Sequence, residues 1–151
     1  MDKKIVCQNR KAQHDYFIEG VLEAGIVLTG PEVKSLREGR GNLVDSYASV
    51  KKGEVFLHKM HINPYPYAHH VPLDPQRPRK LLLNKREIRR LIGKTEEKGY
   101  TLIPTKVYFT RGLVKIELAL AKGKRKYDKR RALKDKELRK EMDEAKKRHG
   151  Y

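Results

Sequence analysis

His58, His61, His69 and His70 are the residues of this chain best able to hold a metal, yet their spacings match no zinc motif. The lone cysteine, Cys7, has no CxxC partner and cannot form an internal disulfide. No metal and no other cofactor is expected. Enzymatic chemistry finds no better footing. No serine or cysteine stands in a nucleophile motif, no paired carboxylates stand out, and no glycine-rich phosphate loop ends in Gly-Lys-Ser or Gly-Lys-Thr. What the chain offers instead is positive charge. Lys122-Gly123-Lys124-Arg125-Lys126-Tyr127-Asp128-Lys129-Arg130-Arg131 opens a final segment, 122–151, with 14 Lys+Arg against 6 Asp+Glu. Few apolar residues interrupt it, so it cannot bury enough surface to offset its ordering entropy by itself. A polyanion is the partner that such a segment folds against, and nucleic acid is the first candidate.

The remaining residues are basic too, and the whole chain carries a formal +17 with a pI near 10. That balance favours phosphate backbones. A membrane-surface protein would need an amphipathic helix with a bulky apolar face, and none is visible. No run of eighteen apolar residues and no apolar stretch behind Met1-Asp2-Lys3-Lys4 suggests a spanning helix or a secretory signal. A reducing cytoplasm is the expected location. At 151 residues, one domain (1–121) plus an appendage (122–151) is the expected organisation.

The elements that must position these charges follow from periodicity. Asp15 to Thr29 reads as strand, with Leu22, Ala24, Ile26 and Leu28 on one face and Val21, Glu23 and Val27 on the other. Gly30-Pro31 starts a short helix and Gly39 stops it, with Val33 and Leu36 inward and Lys34, Arg37 and Glu38 outward. Leu43 to Lys51 and Glu54 to Ile62 read as a hairpin closed at Lys52-Gly53. His61 to Pro78 holds five of the seven prolines and is expected to be a stiff loop. Asn84 and Glu87 form a capping box for a helix with Ile88, Leu91, Ile92 and Thr95 as its stripe, ended by Gly99. Tyr100 to Thr110 and Leu113 to Ala121 complete the strands, turned at Arg111-Gly112. The fold class is mainly β: a small closed antiparallel barrel of the oligonucleotide-binding (OB) type with short flanking helices and a basic C-terminal tail. An open antiparallel sheet packed on helices is the alternative.

Three features within this frame could contact RNA. Lys34 and Arg37 could straddle phosphates near a helix start, or belong to an ordinary solvated face. Glu23, a carboxylate among strand apolars, is either ion-paired, for example with Lys115, or placed to accept from a base edge. The tyrosines of the 61–78 loop could stack on bases or simply pack. In the tail, Asp135–Arg139, Asp143–Lys147 and Glu144–Arg148 are acid-first pairs four residues apart, which favour helix. A freestanding helix this polar is marginal in water. The tail is therefore expected to be mobile when free and helical when cradled by something anionic.

Read in order, the segments closely resemble the small protein B (SmpB) family. The matching stretches are Asn9-Arg10-Lys11-Ala12, Tyr16-Phe17-Ile18-Glu19, Glu32-Val33-Lys34-Ser35-Leu36-Arg37, Asp45-Ser46-Tyr47 and Arg79-Lys80-Leu81-Leu82-Leu83-Asn84. Gly99-Tyr100-Thr101, Ala121-Lys122-Gly123-Lys124 and Asp128-Lys129-Arg130 continue the series. The resemblance implies a non-enzymatic protein of trans-translation that binds the tRNA-like domain of transfer-messenger RNA, acting as a monomer in that complex. It implies delivery to stalled ribosomes, where the tail meets small-subunit RNA near the decoding site and folds as a helix in the empty message channel. RNA contact is implied for Asn9, Glu23, Leu82 and Lys115, with support from Lys34 and Arg37, and for the junction Lys122, Gly123 and Lys124. Ribosome contact is implied for Tyr127, Asp128, Lys129, Arg130, Arg131, Lys134, Lys136, Arg139 and Lys140. Tyr127 stands where many members carry histidine, which keeps a stacking ring and loses the imidazole's proton chemistry. A ribosomal protein with a basic extension is the competing reading from charge and pattern alone.

Overall fold

The computed structural model describes residues 3–67, 74–97 and 99–123. In chain order its elements are β1 (Lys3–Gln8), α1 (Arg10–Asp15), β2 (Tyr16–Ile26), α2 (Gly30–Arg37), β3 (Gly41–Asn42) and β4 (Tyr47–Lys51). They continue as β5 (Glu54–His58), β6 (His61–Ile62), β7 (Arg79–Leu82), α3 (Lys85–Thr95), β8 (Tyr100–Thr110) and β9 (Leu113–Gly123). The protein is mainly β with a few helices.

The strands pair antiparallel in the order β8-β4-β5-β7-β2-β9, and β9 pairs back to β8, so the hydrogen-bonded neighbours form a ring. β1 adds to β8 beside β4. One strand can serve both because β8 changes neighbour along its length: Leu102 pairs with β4, while Lys106 to Thr110 pair with β1. The change falls at Pro104, which has no N–H to give, and the ladder to β9 slips between Pro104 and Lys106.

Alternation drives the inner side of the ring. Ala24, Val55, Leu57, Leu81, Val107, Ile116 and Leu118 are buried together, and Leu36 of α2 and Leu91 of α3 close over them. Each large aliphatic side chain taken from water contributes about 1.5–3 kcal/mol. A smaller second cluster lies on the other side, where Ala12 of α1 packs with Ile103 and Ala121.

α2 and α3 form where the caps demand. Thr29 and Glu32 make a reciprocal capping box with Pro31 in the first turn, and Asn84 and Glu87 make another. Gly39 takes φ of 74° just past α2.

Several expected boundaries change. The strand expected over Asp15–Thr29 is β2, which begins at Tyr16 because Arg10–Asp15 is helical, capped by Asn9, and ends at Ile26, short of the Thr29 cap of α2; β1 precedes that helix. The hairpin keeps its Lys52-Gly53 turn, both residues at positive φ, but is shorter on both sides. Asp45 and Lys59 also take positive φ, which breaks the extended run, and Ser46 Oγ donates to the Leu43 carbonyl. His61–Ile62 pairs instead with Gly41–Asn42. The expected stiff loop ends in β7, a strand that the Arg79-Lys80-Leu81-Leu82 run supplies. α3 stops at Thr95 rather than Gly99. β9 runs on to Gly123, so Lys122 and Gly123 pair with Phe17 and Tyr16 of β2.

Candidate nucleic-acid interface

Directly paired residues in antiparallel strands share a face of the sheet. Ile5 pairs with Tyr108, Tyr108 with Lys115, Lys115 with Gly25 and Gly25 with Leu82. One row of side chains therefore crosses five strands on the outside of the ring. Alternate neighbours, Ala24, Leu81, Val107 and Ile116, point into the core. Leu82 and Ile5 remain about half exposed at the two ends.

Glu23 lies two residues along β2 from Gly25, on the same outer face and opposite Glu117. Its partner differs from the Lys115 ion pair considered from the sequence: Tyr108 Oη donates to Glu23 Oε2. Lys115 is diagonal to it, opposite Gly25. Burial, then the hydrogen bond to Glu23 and the charges of Glu23 and Glu117, push the Tyr108 phenol well above its ordinary value. Tyr108 thus stays a donor and fixes one carboxylate oxygen of Glu23. Glu117 is held separately, by Thr105 Oγ1 at 2.8 Å and Lys106 at 3.7 Å.

Gly25 contributes by what it lacks. A Cβ there would stand 3.2 Å from the Leu82 Cβ, so the bare backbone lets Leu82 lie across β2. Sequence reasoning passed over Gly25, although a glycine inside a strand is a signal of close approach. The resulting surface combines an apolar step, one oriented carboxylate and the Lys115 ammonium. Such groups can pack on a sugar or base, accept from a base amino group and meet a phosphate.

The other expected positions fall elsewhere. Asn9 is buried at the start of α1; its amide donates to the Leu43 and Pro104 carbonyls, and its Oδ1 accepts from Ala12 N–H. Its place in the fold is to bind α1 to β8 and to the turn after β3. Lys34 and Arg37 are exposed on α2, but each covers a different ring: Lys34 over Tyr65 at 5.6 Å, Arg37 over Phe109 at 5.7 Å. Lys122 covers Tyr100 at 5.5 Å near the end of β9. Lys115 and Gly123 are eight residues apart on that strand, roughly 26 Å. The row and the exit of the chain therefore lie toward opposite ends of β9. Lys124, Tyr127, Asp128, Lys129, Arg130, Arg131, Lys134, Lys136, Arg139 and Lys140 lie outside the described residues, as do His69 and His70.

A buried ion cluster behind this face had no place in the sequence reading. Glu32 of α2 accepts from Arg77 Nε at 3.1 Å and Arg79 Nε at 2.7 Å, and Arg79 also donates to the Met60 and Pro75 carbonyls at 2.6 and 3.0 Å. It ties the helix carrying Lys34 and Arg37 to the strand carrying Leu82. Among the described residues no helix is long and apolar enough to cross a membrane.

Known proteins are similar to this chain along most of its length. The family described as SmpB protein matches residues 6–148. An SsrA-binding protein of Syntrophobacter fumaroxidans is 59% identical over 145 residues, covering 96% of this chain and 90% of the relative. One from Geobacillus thermodenitrificans is 58% identical over 142 residues, covering 94% and 92%. A chain in the solved structure described as "tmRNA-SmpB: a journey to the center of the bacterial ribosome" superposes with a TM-score of 0.66 at 50% identity, covering 78% of this chain and 82% of that one. With the family matched from residue 6 to residue 148 and relatives near 60% identity, this chain belongs to the SmpB family.

Proposed function

We propose that this protein binds the tRNA-like domain of transfer-messenger RNA, brings it to stalled ribosomes, and places its 122–151 segment in the empty message channel so that rescue and tagging proceed. The observation that carries this reading is the outer row Tyr108–Lys115–Gly25–Leu82 with Glu23 beside it. Three of the positions that the family resemblance marks for RNA contact, Glu23, Leu82 and Lys115, come together there from three strands. The SsrA-binding names of the relatives support the choice of RNA, and the ribosomal setting of the structural relative supports the destination. The ring of paired strands supports a closed barrel of the OB type, with residues 1–121 as the RNA-binding body. The protein acts as one copy per RNA, in the cytoplasm, and catalyses no reaction itself.

Affinity for the tRNA-like domain, compared with an unrelated RNA of equal length at several salt concentrations, tests the reading. Equal affinities with equal salt slopes would describe phosphate contact alone and overturn it. Lys115→Ala is expected to weaken binding about tenfold and to lower the salt slope by about one. Glu23→Gln is expected to narrow the gap between cognate and unrelated RNA with little change in slope, because its oxygen reads a donor rather than a phosphate.

Gly25→Val supplies a second check on the same face. The added side chain displaces Leu82 and is expected to cost roughly tenfold in RNA affinity, within the 1–3 kcal/mol of a lost recognition contact. Gly20→Ala, where a Cβ meets nothing within 4 Å, is expected to leave affinity unchanged.

A further inference from the structure

Away from the Lys115 row, a cavity of about 280 Å³ opens between α1 and the turn leading into β4. Its lining includes Lys11, Asp15, Tyr16, Asp45, Tyr47 and Thr101. The size is just under the ~300–1,000 Å³ typical of pockets for drug-sized ligands, which leaves room for one planar ring system. Tyr47 is presented rigidly: His58 stacks on it with centroids 5.0 Å apart, and His58 Nε2 is held at 2.7 Å from Ser49 Oγ. Lys11 pairs with Asp45 at 3.8 Å, both well exposed, and Asp45 holds φ of 62°, uncommon outside glycine.

The electrostatics choose the occupant. In a chain of net +17, this lining sets two carboxylates, Asp15 and Asp45, against one ammonium, Lys11, so its interior disfavours a phosphate group that the rest of the surface would attract. The carboxylates accept from amino groups, and tyrosine rings stack on bases. Lys11 at the same site can meet the phosphate attached to an inserted base. We propose that this cavity is a nucleobase pocket that takes one unstacked, amino-bearing RNA base against Tyr47, with Asp45 accepting from its exocyclic amine. The inference rests on the RNA-binding reading above and adds a second contact separate from the Lys115 face.

Titration of the full chain with single-stranded RNA hexamers tests it. Hexamers of adenosine or cytidine are expected to bind roughly tenfold tighter than hexamers of uridine, which lacks the amine. Asp45→Gly, an exposed change that suits the left-handed backbone and removes the acceptor, abolishes that preference. Tyr47→Leu weakens the amino-bearing hexamers about tenfold while Tyr47→Phe keeps them, so loss of the ring is separated from loss of fold. Lys115→Ala leaves the preference intact. Equal binding of all hexamers with one salt slope overturns the proposal, as does an amine preference that survives in Asp45→Gly. If the hexamer preference holds but the tRNA-like domain binds no better than unrelated RNA, the pocket stands and the proposed function fails.

Discussion

A chain ending at Tyr127 is expected to bind the tRNA-like domain within a few-fold of the full-length affinity and to support no tagging on stalled ribosomes. The removed residues, 128–151, hold 10 Lys+Arg and 6 Asp+Glu, so the chain keeps most of its +17. The strand that leads toward them ends away from the RNA face. Gly123, where the described strand ends, is roughly 26 Å along β9 from Lys115. That is more than two screening lengths at physiological salt, where the Debye length is about 8 Å. The body therefore keeps its recognition row, and the loss falls on the proposed engagement with the message channel. There the acid-first pairs favour helix only once a polyanion offsets the ordering entropy. A tagging assay on ribosomes stalled on a message without a stop codon, run beside an RNA-binding titration, separates the two functions. Loss of RNA binding by the truncated chain would show that body and tail do not divide the work in this way.

The parts of the fold legible in the sequence are those where one physical signal dominates. Alternation in Leu113–Leu120 and the Asn84/Glu87 capping box placed β9 and the start of α3, because burial on one face and cap hydrogen bonds are local facts. β1 and α1 escaped the same reading. α1 is six residues long and buries only Ala12, too little for helical periodicity to register, and β1 is short, basic and largely exposed. β7 was hidden by its own charge: Arg79 alternates inward with Leu81, so the apolar pattern of a core strand never appears. Thr29 with Glu32 was a readable capping box, yet nothing local announces that Glu32 also receives two arginines from 45 and 47 residues away. The site shows the same division. Glu23, Leu82 and Lys115 could be named through the resemblance, but their assembly into one row depends on strand register, which no single segment encodes.

That cluster carries the largest expected effect on stability. Arg79 is almost completely buried, and its guanidinium donates to Glu32, Met60 and Pro75. Arg79→Ala leaves two carbonyls without that donor, opens a cavity and weakens the pairing of a buried carboxylate. Removing one partner of a buried ion pair costs about 3–5 kcal/mol. For a chain of this size that corresponds to a fall in Tm of roughly 10 °C. Arg79→Lys does not rescue it, since one ammonium cannot reproduce the three-way fork. Acid acts through Glu32. Burial pushes its carboxyl up, but hydrogen bonds from Arg77, the Thr29 N–H and Arg79 prevail and hold it below its ordinary 4.5. A lowered folded value means that the stabilisation is complete above the unfolded pKa and is lost as pH falls below about 4.5 through the folded value. Glu32→Gln removes this part of the acid dependence, so the difference in Tm between wild type and variant is expected to shrink as pH drops from 6 to 3. A constant difference across that range would mean that the carboxylate's charge is not what holds α2 to β7. RNA binding gives the functional readout. The cluster joins the helix of Lys34 and Arg37 to the strand of Leu82, so at temperatures where Glu32→Gln remains folded its affinity is expected to fall while the Lys115 salt contribution persists.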